Sequence, residues 1–158
     1  MIKIREEYDL KEYVSSKFNS SLTEWYNQLI NKTIDELEVE DVCKMIRQNI
    51  IIELATQKAI ELFFDDPYDG FIYDGELLNA LTLINFKQIS EPKIKVEKLK
   101  IRVKELIEFF KDADWLIEHS IDEFDFVNEE SDCKFDWFDK ESKIEYFQNL
   151  NKLLENLE

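Results

Sequence analysis

Phe64-Asp65-Asp66-Pro67-Tyr68-Asp69-Gly70-Phe71-Ile72-Tyr73-Asp74-Gly75-Glu76-Leu77-Leu78 gathers both glycines of the chain and one of its two prolines. Long runs with helical periodicity lie on either side and contain almost no other breakers. This is the one place where the residues themselves prescribe a special backbone. It also carries five carboxylates, which makes it the first place to look for chemistry.

Counted from Asp65, the stretch offers much of an EF-hand calcium loop: Asp at position 1, Asp69 at 5, Gly70 at 6, Ile72 at 8 and Glu76 at 12. Position 3 is Pro67, which has no side-chain oxygen, and no second loop exists to pair with it. A structural role fits better. Asp66 and Pro67 end one helix, Gly70 supplies a positive φ, and Asp74 caps the next helix. Phe71 and Tyr73 then pack the turn back on its helices, and Gly75 lets the backbone approach a neighbour.

Working outward, Glu76–Ile84 predicts a short helix with Leu77, Leu78, Leu81 and Ile84 inward. Upstream, Val39–Phe64 is helical with a phase shift near Asn49, so it forms two helices or one bent one. Val42, Met45, Ile46 and Ile50 make one stripe. Ile51, Leu54, Ala55, Ala59, Leu62 and Phe63 make the next. Thr33-x-x-Glu36 and Ser21-x-x-Glu24 are capping-box signals, the latter opening a helix with Leu22, Trp25, Tyr26 and Leu29 on one face. Asp9 is read as capping a short helix through Leu10, Tyr13 and Val14, and residues 1–8 as a strand or an arm.

Downstream, Pro92 precedes a long helix. Val96, Leu99, Val103, Leu106, Phe110, Ala113 and Ile117 recur there in a/d register, which suits an intramolecular bundle. Its six early bases, Lys93, Lys95, Lys98, Lys100, Arg102 and Lys104, spread around the helix and are read as solvated. A last helix, Lys140–Leu157, shows a stripe of Ile144, Phe147, Leu150, Leu154 and Leu157. No hairpin chemistry and no internal repeat are present. The predicted fold is all-α, a single-domain bundle of about six or seven helices.

Composition narrows the function. With 158 residues, 44% hydrophobic and 13% aromatic, the chain has material for a true core and is not of disordered type. No membrane span and no signal peptide are visible, so a cytoplasmic location is expected. Cys43 reads as a core filler and Cys133 as a blunted thiol in an acidic setting, both free. There is no serine elbow, phosphate cradle or His/Cys metal cluster, and His119 suits a helix end. Neither an enzyme nor a cofactor is expected.

The formal net charge is −16. That disfavours direct binding of nucleic acid and suits a basic protein partner. Most of the excess lies in Asp112–Glu141, where twelve acids face only Lys134 and Lys140. Trp115, Phe124, Phe126, Phe135, Trp137 and Phe138 are interleaved with them. The stretch is either an acidic loop tucked on the core by its aromatics or a protein-binding surface for a basic target. Composition alone does not separate the two.

Val39-Glu40-Asp41-Val42-Cys43-Lys44-Met45-Ile46-Arg47-Gln48-Asn49-Ile50, Ala59-Ile60-Glu61-Leu62, Asp66-Pro67 and Tyr73-Asp74-Gly75-Glu76-Leu77-Leu78 carry a resemblance. In order and spacing they resemble immunity proteins of bacterial contact-dependent growth inhibition (CDI) systems, over roughly Thr33 to Ile84. Ile51-Ile52-Glu53 departs from the more usual Gly- or Pro-containing segment, and Glu76 stands where Asp is common. The resemblance implies a small helical cytoplasmic protein that binds and neutralises one cognate toxin domain. Such toxins are often nucleases. No toxin-binding role carries over to Gln48, Tyr73 or Gly75.

Joined to the charge pattern, this places toxin contact on Asp122, Glu123, Asp125, Glu129, Glu130, Asp132, Asp136, Trp137 and Asp139, and leaves the glycine stretch to the scaffold. Two other readings remain at this point. One is a calcium- or partner-binding helical adaptor using the degenerate loop at 65–76. The other is a nucleic-acid mimic aimed at a DNA-binding enzyme.

Overall fold

The computed structural model describes residues 2–14, 20–90, 93–118 and 140–158. Among them lie seven α-helices and no named strand. In chain order these are α1 (Ile4–Glu7), α2 (Ser21–Asn31), α3 (Val39–Gln48), α4 (Ile52–Asp65), α5 (Glu76–Leu81), α6 (Lys93–Glu118) and α7 (Lys140–Leu157). Two 3-10 turns, Ile34–Glu36 and Phe86–Gln88, link neighbours. The all-α expectation holds.

The N-terminal segment is neither strand nor arm. Ile4–Glu7 makes one helical turn, and the Ile4 N–H donates to the Lys32 carbonyl at 2.9 Å. Asp9 does not cap a following helix either. It takes φ 50° and turns the chain, after which the Leu10 N–H reaches back to the Arg5 carbonyl. At α2 the cap lies one residue earlier than expected, because the Ser20 Oγ accepts from the Thr23 N–H. Trp25, Leu29 and Ile30 are buried there, while Leu22 is exposed.

A buried carboxylate joins α2 to α3. Asp41 accepts from the Trp25 indole N–H at 3.2 Å and from Lys32 Nζ at 2.6 Å. Lys44 Nζ stands 4.8 Å from the centroid of the same indole ring, a cation–π contact. Such an interior charge is tolerated only because it is paired and hydrogen-bonded.

The phase shift near Asn49 is a true break. Asn49 adopts φ 53° and Ile51 φ 44°, and the Ile50 N–H closes α3 onto the Met45 carbonyl. A left-handed β-branched residue is unusual, since its Cβ crowds the backbone. α3 then packs on α4 and α5, and α5 packs on α7.

One hydrophobic cluster runs through the described helices, with Met45, Phe63, Leu77, Leu78, Leu81, Leu99, Leu150 and Leu153 among its most buried members. Each of the three α5 leucines is fully buried, worth about 2 kcal/mol apiece in apolar transfer. The long helix α6 lies against α7 and buries Leu99, Val103, Leu106, Ile107 and Phe110, as its register requires.

On α7 the inward face differs from the expected stripe. Tyr146, Leu150, Leu153 and Leu157 are buried, whereas Ile144, Phe147 and Leu154 are half-buried. Phe147 and Leu154 still pack against the core from its edge, and the buried Tyr146 has a polar partner inside, the Pro67 carbonyl. From Lys95 to Lys104 the bases of α6 are exposed or half-buried. Lys95 pairs with Glu61 at 3.5 Å and Lys104 with Glu158 at 3.8 Å, exposed contacts of small energetic weight. No helix among the described residues is long and apolar enough to cross a membrane.

Candidate functional site

The segment joining α4 to α5 folds around one side chain. Glu76, the first residue of α5, is only 1% exposed. Its Oε1 pairs with the Arg47 guanidinium from α3. Its Oε2 accepts from the backbone N–H groups of Phe71 and Ile72, at 2.9 and 2.8 Å. Burial works against the charge, but those donors and the Arg47 cation outweigh it and hold the carboxyl below its ordinary range.

The rest of the loop is closed by its own backbone. Asp66 Oδ1 accepts from the Tyr68 N–H at 3.0 Å, a turn two residues long. The Gly75 N–H donates to the Tyr68 carbonyl at 2.7 Å, and the Leu77 N–H to the Asp69 carbonyl at 3.1 Å.

The two glycines serve different needs. Gly75 caps α5 with φ 84°, a left-handed position. Gly70 is required for space instead, because a Cβ there would stand 1.9 Å from the Tyr73 carbonyl oxygen. The positive φ expected at Gly70 therefore belongs to Gly75, and so does the capping position expected of Asp74.

The loop is anchored to the bundle by residues other than those expected. Phe71 does not pack back on the helices and, like Ile72, is exposed, whereas Tyr73 reaches α5 through its hydroxyl, which accepts from Asn79 Nδ2 at 2.7 Å. Pro67 and Tyr68 make the contact. The buried Tyr146 hydroxyl donates to the Pro67 carbonyl at 2.9 Å, and the Tyr68 ring stacks 5.3 Å from Tyr146 and edge-on 6.1 Å from Phe110. Nothing in the local sequence marks Tyr146 for this role, since it stands beside Phe147 on a helix whose stripe runs through Ile144, Phe147 and Leu150.

This geometry bears on the calcium reading. Both oxygens of the twelfth-position carboxylate are engaged inside the protein, and Asp65 belongs to the last turn of α4. Among the described residues no three His, Cys, Asp or Glu side chains gather as a metal site. The adaptor built on an ion loop is set aside on that use of Glu76. Cys43, buried beneath the loop, is no nucleophile: burial first, then the neighbouring Glu76 charge, push its thiol up to about 12.

The nine residues expected to contact a toxin, Asp122, Glu123, Asp125, Glu129, Glu130, Asp132, Asp136, Trp137 and Asp139, lie outside the described residues. The site that the described residues do assemble is the Glu76 loop. It is a rigid, acid-rich turn with apolar side chains at its tip.

A family model of CDI immunity proteins matches residues 6–108. This chain belongs to the CDI immunity protein family. As an immunity protein it protects against a toxin and binds that toxin as a protein partner. No curated protein matches the chain.

The match reaches well beyond the Thr33–Ile84 segment that carried the resemblance. It takes in the end of α1, all of α2 and the first part of α6 as well as Arg47, the loop and Glu76. Those flanks are amphipathic helices without distinctive residues, which is why short motifs did not reveal them. The match stops at Glu108, ahead of the acidic Asp112–Glu141 stretch.

Proposed function

We propose that this immunity protein neutralises its toxin by stoichiometric occlusion in the cytoplasm, performing no chemistry on it, and that the toxin is a basic nuclease domain. Charge carries the reading. A net −16 is costly self-repulsion for a chain of 158 residues, and a basic nucleic-acid groove is a partner that would use the field. The acidic stretch lies beyond the family-wide match, as a surface fitted to one cognate toxin would. The contact is assigned to Asp122, Glu123, Asp125, Glu129, Glu130, Asp132, Asp136, Trp137 and Asp139. Aromatic side chains there supply affinity, and the acids raise the association rate.

The test titrates this protein into the purified cognate toxin domain, following both binding and RNA or DNA cleavage. Neutralisation complete at one chain per toxin is expected. Asn and Gln at Asp122, Glu123, Asp125, Glu129 and Glu130 together should slow association by about tenfold or more at low salt. Neutralisation at far below one equivalent would show turnover and end the occlusion reading. Unchanged association in the five-fold variant would end the site assignment.

A further inference from the structure

The tip of the Glu76 loop places Phe71, Ile72 and Tyr73 side by side in solvent, the first two 61% and 69% exposed. Single exposed apolar residues are ordinary, but Phe71 and Ile72 stand adjacent in solvent on one surface turn, while the Tyr73 beside them is tied to α5 by a hydrogen bond from Asn79 Nδ2. They are also not loose. The N–H groups of Phe71 and Ile72 are fixed on one carboxylate oxygen, and that carboxylate is fixed in turn by Arg47. The backbone is thus held from inside while the side chains face out. Such a tip loses little conformational freedom when it is buried by a partner.

The surroundings state what kind of partner fits. No Lys, Arg or His occurs between Lys58 and Lys87, while Glu61, Asp65, Asp66, Asp69, Asp74 and Glu76 fall in that interval. Asp65 and Asp74 are exposed on either side of the tip. An apolar knob with an acidic rim complements an apolar recess bordered by Lys and Arg. Pro67 and Tyr68 also seat the loop on Phe110 and Tyr146. These lie about 12 Å before the end of α6 and about 9 Å after the start of α7, so the loop packs on the half of each helix nearer those ends.

We propose that Phe71 and Ile72 are apolar anchors that seat this protein on its toxin, entering a recess bordered by basic residues. The proposal rests on the reading above that the chain occludes a basic toxin domain. It differs in giving residence on the toxin to the family-matched loop rather than to the acidic stretch alone.

Phe71→Ser with Ile72→Ser, in the full chain, is tested against the same cognate toxin domain by surface plasmon resonance. Both side chains are exposed, so the thermal midpoint should stay within a few degrees of the parent. Affinity should fall at least about 30-fold, almost entirely through faster dissociation, with the salt dependence of association unchanged. A photoreactive benzophenone side chain at position 71 should crosslink to the toxin, which reads the contact independently of the double variant. Affinity within about threefold of the parent, with no crosslink, overturns the proposal. If the five-acid variant weakens binding while the loop variant does not, the anchor inference fails and the occlusion reading stands. If the unaltered chain does not bind the toxin domain, both fail. A concentration-dependent dimer abolished by the double variant would assign the tip to a second copy and also overturn the proposal.

Discussion

Arg47 and Glu76, twenty-nine positions apart, meet so that one carboxylate oxygen faces α3 while the other caps the loop before α5. The pair therefore ties a helix to a turn, and its two halves are unequal. Glu76 is buried and serves three donors, whereas the Arg47 side chain is 37% exposed. Glu76→Ala leaves two loop N–H groups and a guanidinium without their acceptor and should cost about 3 kcal/mol. Arg47→Ala leaves the carboxylate with both N–H donors and should cost only about 1 to 2 kcal/mol. Urea unfolding followed by circular dichroism measures both, and equal costs would show that the loop bonds are unimportant.

The same carboxylate makes stability depend on pH. Its folded-state pKa lies below the ordinary 4.5, so the unfolded chain binds more protons in this range and stability falls as pH falls. The contribution is fully present above the ordinary value and is lost as pH drops through the folded one. Glu36, held low first by the Thr33 backbone N–H, acts in the same direction from an exposed site. The stability difference between the parent and Glu76→Gln isolates the buried group, because self-repulsion among the many acids nearly cancels in it. That difference should be flat above about pH 6 and shrink below about pH 4.5. A difference independent of pH would mean that folding leaves the Glu76 pKa unshifted, and one that grew as pH fell would mean that folding raises it.

Gly70 and Gly75 should respond differently to the same change. At Gly75 an alanine must adopt the left-handed φ of 84°, a cost of about 1 to 2 kcal/mol, and Asn there should recover part of it. At Gly70 the added Cβ meets the Tyr73 carbonyl at 1.9 Å and the Glu76 Cβ at 2.8 Å, so the loop itself must move. Gly70→Ala should cost more than Gly75→Ala, about 3 kcal/mol or above, and Asn should not rescue it. Thermal melts of the four variants decide the matter.

What could be read from the residues followed from what periodicity and breakers encode. The clustering of glycines and Pro67 located the irregular connection between α4 and α5, and the a/d register of α6 correctly placed Leu99, Val103, Leu106 and Phe110 inward. Contacts across the chain were not legible. Nothing local marks Arg47 as the partner of a residue twenty-nine positions later, or Tyr146 as the partner of a carbonyl seventy-nine positions earlier. The carboxylates of the loop suggested an ion site because their spacing was visible while the donors that occupy Glu76 were not. Ile51 misled differently: a β-branched residue gives no warning of a left-handed backbone.

Cys43 offers a probe of the core beneath the loop. Its thiol is fully buried and pushed up to about 12, so almost no thiolate exists near neutral pH. In a Cys133→Ser background, a disulfide reagent at pH 8 should find no reactive thiol in the folded protein and one after denaturation. Adding Glu76→Ala should expose Cys43 to slow labelling, because opening the loop lets water reach α3. Fast labelling of the folded Cys133→Ser protein would contradict the burial.

Tyr146 tests whether the loop is rigid because of its own bonds or because of the bundle. Tyr146→Phe keeps the ring against Tyr68 and Phe110 but leaves the Pro67 carbonyl without the hydroxyl that donates to it in a buried setting. The loss should be about 1 to 2 kcal/mol, the cost of an unsatisfied buried acceptor. Because the Glu76 bonds to Phe71 and Ile72 are untouched, amide exchange at those two positions should slow or quicken only in step with global stability. In Glu76→Ala the same two amides should exchange much faster than the core. If Tyr146→Phe instead releases Phe71 and Ile72 selectively, the bundle contact and not the carboxylate fixes the loop tip.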